Sequence, residues 1–156
     1  MRLSPGFVVA GLSLLATPAR AQLADSKVLT QEAVRTMVAA ATDHAVKNGW
    51  AVSIAVVDAN GDLLAFRRLD GASLGSIDIS QGKARTAARF RRPTKALADA
   101  LAEGRTALLT IPNLVALQGG LPVLWGTVTI GGIGVSGVTS EQDEQVAQAG
   151  LAALKQ

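Results

Sequence analysis

Six cationic side chains fall within 13 residues, Lys83, Arg85, Arg89, Arg91, Arg92 and Lys95, and a charged pair, Arg68 and Asp70, precedes them. Cations at this density can hold a carboxylate or a phosphate, guanidinium through its bidentate fork and ammonium as a point charge. The same spacing also describes a solvated helix face with local ion pairs to Asp78 and Asp99. His44 is the only histidine, so any imidazole chemistry falls to it. With one imidazole and no cysteine, a zinc site lacks its ligands, and thiolate nucleophiles and disulfides are excluded. A Ser-His-Asp hydrolase would have to be built on His44, the single histidine. No spacing singles out a pair of carboxylates for glycoside chemistry.

Two further motifs are better explained by architecture. Gly132-Ile133-Gly134-Val135-Ser136-Gly137 spells G-x-G-x-x-G, yet only 19 residues follow it. That leaves no room for the second strand and acidic ribose partner of a dinucleotide site. Glycines there let a helix or another backbone lie close on the strand. Asp58-Ala59-Asn60-Gly61-Asp62 has a calcium-loop look but the wrong spacing for an EF-hand, and a hairpin turn accounts for it.

These residues must be positioned by a small set of elements. A chain of 156 residues, 49% of them hydrophobic, suits a single domain with a self-sufficient core. Residues 1–21 read as a cleaved secretory signal: Arg2 is the charged start, Phe7 to Ala16 the apolar run, and Ala19-Arg20-Ala21 the cleavage site. The domain is then 22–156, periplasmic or secreted. Loss of Arg2 and Arg20 lowers the formal charge from +3 to +1, which removes the basic footprint of a nucleic-acid binder. With no tyrosine and 3% aromatics there is no base-stacking platform either.

Thr30 opens a helix to about Asn48, whose stripe of Val34, Met37, Val38, Ala41 and Ala45 should face a sheet. His44 falls about 80° from the centre of that stripe, at the edge of the buried face. Val52 to Val57, Asn60-Gly61 and Leu63 to Leu69 write a hairpin with a type I′ turn. Ser76 is placed to cap a helix through Phe90, Thr94 to cap another ending at Gly104, and Ser140 to open a last helix in an S-x-x-D capping box with Asp143. Leu121 to Trp125 and Thr127 to Val135 are a second strand pair. Hairpins in place of β-α-β crossovers argue for an α+β fold, a central antiparallel β-sheet with helices packed on it.

Five blocks in order, V-x-I-A-V-V-D-x-x-G from Val52, R-x-D-G-A from Arg68, K-A-R-T-A from Lys83, G-G-L-P-V from Gly119 and I-G-G-I-G-V-S-G from Ile130, resemble the GlcG/HbpS-like haem-binding family. Asp143 fits the same pattern, and the resemblance runs from about residue 29 to 154. The C-terminal domain of PduO-type adenosyltransferases is related. The resemblance implies a profilin-like fold, assembly into homo-oligomers, and haem as cofactor, with haem degradation in some members. Its R-x-D and K-A-x-T-A blocks nominate Arg68, Asp70, Lys83 and Thr86 for ligand binding; Arg89 joins Lys83 as a cation to meet the propionates, and His44 is the candidate axial iron ligand on the chemistry of imidazole, not on a family motif. Arg68 and Asp70 are equally suited to a buried ion pair at the hairpin exit. Two other readings use the same residues: a module binding an organic acid or corrinoid without haem, and a structural oligomer with no small-molecule chemistry. Binding is expected rather than catalysis, and no nucleic acid or membrane partner is expected after cleavage.

Overall fold

The computed structural model describes residues 26–155; the expected signal at 1–21 lies outside the described residues. In chain order the elements are α1 (Gln31–Lys47), β1 (Ser53–Asp58), β2 (Leu63–Arg68), α2 (Gly75–Phe90), α3 (Thr94–Ala102), a 3-10 turn (Thr106–Thr110), β3 (Gly120–Trp125), β4 (Val128–Ser136) and α4 (Ser140–Ala152). The strands form one sheet in the order β2-β1-β4-β3, every neighbouring pair antiparallel. The fold is α+β, and β1 lies inside the sheet as its unbroken apolar run requires.

Alternation along β1 and β4 divides the molecule into three layers. Ile54, Val56, Ile133 and Val135 point to one face, where Val34, Met37, Ala41 and Ala45 of α1 and Val146 and Ala147 of α4 close the main core. Ala55 and Val57 point to the other, against Ala84 and Ala88 of α2. The glycines of β4 explain how α2 approaches so closely. A Cβ on Gly132 would overlap the Ala84 carbonyl, and one on Gly134 the Ser80 carbonyl.

Several local expectations are corrected. In the β1–β2 turn only Gly61 takes positive φ (89°), and Asn60 does not. The Asp58 carboxylate accepts from the amides of Asn60 and Asp62 at 2.8 and 2.9 Å and shapes the loop, so no type I′ turn is needed. Ser76 does not cap α2: its hydroxyl is buried, donating to the Ser73 carbonyl at 2.6 Å and meeting Ser53 Oγ at 2.8 Å. Thr94 opens α3 without capping it; its hydroxyl donates to the Leu117 carbonyl and accepts from the Gly120 amide at 2.9 Å, tying the connector to β3. The last helix is capped by Thr139, one residue earlier than expected, in a full capping box with Gln142. That shift leaves Asp143 free for a different task.

Candidate functional site

Lys83 lies on the face of α2 that meets the sheet and is 2% exposed. Its ammonium donates to Asp143 Oδ2 at 2.7 Å and to the Val135 carbonyl at 2.9 Å. The contact crosses the end of the sheet, from the α2 layer to the α4 layer, past Gly119 and Gly120. A Cβ on Gly119 would stand 2.9 Å from the ammonium, and one on Gly120 would stand 2.6 Å from the Lys83 carbonyl. The second Asp143 oxygen accepts from the Val138 amide at 3.2 Å. Burial pushes the Asp143 carboxyl above the usual carboxylate range, against the opposing pull of Lys83 and of the Val138 and Gly137 amides.

The other cations disperse. Thr86 is buried, its hydroxyl accepting from the Val115 amide at 3.0 Å. Arg89 Nε donates to the Asn60 carbonyl at 2.6 Å and Arg85 Nε to Gly61 at 3.3 Å, so both hold the hairpin turn. Lys95 pairs with Asp99 on the surface at 2.7 Å, as the helix-face reading expected, whereas Asp78 forms no ion pair among the described residues. Arg68 reaches the Ala72 carbonyl through Nη2 and Nε at 2.6 and 3.0 Å. It forms no ion pair with Asp70 among the described residues, because its fork is turned onto the backbone; the pair considered at the hairpin exit is absent.

His44 belongs to the opposite layer. It is half-buried near the end of α1, its ring 5.7 Å from that of Trp50, and its Nε2 is buried without a hydrogen-bond partner. Next to it Val46, Trp50, Arg67, Leu69 and Asp70 line a cavity of about 320 Å³. Of the nominated residues, Asp70 thus lies in the His44–Trp50 corner, while Lys83, Thr86 and Arg89 lie across the sheet. Arg68 and Asp70 share a cavity of about 260 Å³ at the hairpin exit, but the six nominated residues do not converge on one site.

A second concavity, which the sequence did not single out, lies at the other end of α1. Leu29, Leu124, Trp125, Ile130 and Leu154 line about 240 Å³ with Lys155 at the edge. It continues through Thr30, Ala33, Leu154 and Lys155 into a further 420 Å³. Lys27 stands over the Trp125 ring, 5.7 Å from its centroid, and Trp125 is 45% exposed. The only signal in the sequence was Leu124-Trp125 at a strand end, which reads equally well as core. No helix among the described residues is long and apolar enough to cross a membrane.

Residues 29–152 match the family described as haem degrading protein HbpS-like. The chain belongs to the HbpS-like family. Protein GlcG of Escherichia coli strain K12 is 47% identical over 109 residues, 70% of this chain and 81% of that one. A crystal structure of a double mutant of Streptomyces reticuli HbpS superposes with a TM-score of 0.81 at 40% identity, over 92% of this chain and 99% of that one. PduOC, solved as a haem complex, superposes with a TM-score of 0.75 at 28% identity, over 82% of this chain and 96% of that one. The HbpS-like match includes all four strands, all four helices and both partners of the Lys83–Asp143 pair.

Proposed function

We propose that this protein binds haem and handles it outside the cytoplasm, as a homo-oligomer freed of its first 21 residues. The observation that carries the reading is its similarity to PduOC, a chain of the same fold solved with haem, together with membership of the HbpS-like family. Haem brings a flat apolar ring, an iron and two propionates; the chain's part is to bury the ring, meet the negative charge and exclude water. The residues present suit those parts separately. An apolar concavity with Lys155 at its edge lies at the start of α1, a mixed one lined by Trp50, Arg67 and Asp70 lies at its end, and His44 is the one imidazole, with an unpartnered Nε2. Lys83 has no part in holding propionates, since its ammonium is buried on Asp143.

Titration of the purified protein with haem tests the reading. A Soret band displaced from that of free haem and saturating with protein is expected; a spectrum identical to free haem at all ratios overturns it. Export is tested separately, by the mass of the protein recovered from the periplasm or medium, which should correspond to a chain starting at Gln22.

A further inference from the structure

We infer that a second copy of this chain docks on the open flank of α2, about a two-fold axis that sets Asp78 of each copy against Arg85 of the other and closes Leu63, Phe66 and Leu74 from water. The inference rests on the homo-oligomer in the reading above and names the surface through which it assembles.

The two faces of the sheet are covered unequally. On the main-core side α1 reaches both β1 and β2, whereas on the other side α2 packs across β4, β1 and β3 and leaves most of β2 bare. Cross-strand pairing shows which side chains that strip carries. Phe66 stands opposite Ala55 and Leu63 opposite Val57, and both partners point toward α2. A register shift between Val56 and Val57 turns Leu63 to the same face as Phe66. Leu63 and Phe66 are 48 and 36% exposed, and Leu74, which leads into α2 with helical backbone angles, is 72% exposed. The edges of the sheet are poorer routes to assembly. The edge strand β3 carries Pro122, β2 ends in Arg67-Arg68, and the outer strand pair on each side is bulged.

Charge selects the occupant. At ~100° per residue, Leu74, Asp78, Gln81 and Arg85 fall within about 60° of one another on α2. Asp78 forms no hydrogen bond or ion pair among the described residues, and Arg85 uses only Nε, on the Gly61 carbonyl at 3.3 Å. The acid lies nearer the start of the helix and the base nearer its end, about 10 Å apart at ~1.5 Å per residue. A second α2 laid antiparallel about the level of Gln81 and Gly82 therefore brings each carboxylate to the other's guanidinium, and the contact is made twice. A parallel copy would stack like charge on like. Asp78, Gln81, Arg85 and Asn113 line a hollow of about 340 Å³ on this flank, room for side chains of the second copy to enter. The ion pairs set register and the apolar strip supplies the burial.

The test is sedimentation velocity of the purified protein over a range of concentrations, for the wild type, Asp78→Arg, Arg85→Asp, Asp78→Arg/Arg85→Asp and Phe66→Ser/Leu74→Ser. Circular dichroism checks that each variant is folded. The wild type should be a dimer or an even-numbered assembly of dimers. Each single reversal should raise the dissociation constant of the dimer by at least about tenfold, as two attractions become two repulsions, and Phe66→Ser/Leu74→Ser should act in the same direction. The double exchange, and an equimolar mixture of the two single variants, should both recover assembly, because each restores opposite charges across the axis. Arg85 also holds the hairpin turn, so Asp78→Arg carries the decision if Arg85→Asp fails to fold. An assembly unaffected by Asp78→Arg and by Phe66→Ser/Leu74→Ser overturns this surface and leaves the homo-oligomer and haem readings intact. A wild type that stays monomeric overturns the surface and the homo-oligomer together, while the haem titration stands apart.

Discussion

Lys83 and Asp143 show how little a residue's type says about its use. By spacing Lys83 opens a run of six cations, yet its ammonium is enclosed with a carboxylate 60 positions away and serves as a strut between helical layers. Nothing local to either residue announces the pairing, because it depends on a gap at Gly119–Gly120 that exists only once β3 has joined β4. Removing one partner leaves the other charge buried and unmet. Lys83→Met should therefore cost about 3–5 kcal/mol in urea unfolding, whereas Lys83→Met/Asp143→Leu should recover most of that loss. If the single and double variants are equally unstable, the pair is not the origin of the cost. The pH dependence follows from the direction of the Asp143 shift. Its folded pKa lies above the ordinary 3.8, so its contribution is full below that value and falls as pH rises through the folded pKa. The stability difference between wild type and the double variant should shrink on raising the pH from about 3 toward neutrality.

At the scale of elements the sequence is more legible, since periodicity and turn chemistry act over neighbours. The stripe of α1, the apolar run of β1, the stop at Gly104 and the close approach implied by the β4 glycines all reappear in the structure. What escaped were choices between chemically equivalent neighbours: Thr139 over Ser140 as a cap, and the Asp58 carboxylate over a two-residue turn. Each is decided by where the chain must arrive next, and the Thr139 cap is what presents Asp143 to Lys83. Thr139→Ala should thus lower unfolding stability by about 1 kcal/mol, while Ser140→Ala should stay within about 0.5 kcal/mol. Equal effects would return the cap to Ser140. The glycines make a matched pair as well. Gly134→Ala presses a methyl group onto the backbone of α2 and should destabilise by about 1–3 kcal/mol. Gly75→Ala, at the first residue of α2 with open space around it, should stabilise by about 0.4–1 kcal/mol through the unfolded chain. The contrast is read from chemical denaturation midpoints; a neutral Gly134→Ala would mean that α2 can lift from the sheet.

For the whole molecule, three layers joined through Lys83 and free of disulfides should unfold together, and a ligand held by one layer should stabilise all of them. The candidate site was the part least legible in the sequence for the same reason. The concavity at the start of α1 is assembled from the segment before α1, the tip of the β3–β4 hairpin and the residues after α4, three places far apart in the chain that no local pattern connects. A ligand that bridges these segments can bind only the folded state, because unfolding scatters its contacts. At a free haem concentration a hundred times the dissociation constant, unfolding should then cost about 2.7 kcal/mol more than without haem. Trp50 lies at the far end of α1 from that concavity, so it can report whether stabilisation spreads through the fold. Tryptophan fluorescence of a Trp125→Phe variant, in which Trp50 is the only reporter, and far-ultraviolet circular dichroism should give coincident urea transitions, both displaced by haem. Displacement of the circular dichroism transition alone would mean that the α1 end melts independently. An optical titration that saturates with no displacement of either would place haem on folded and unfolded chains alike, which is adsorption and not a built site.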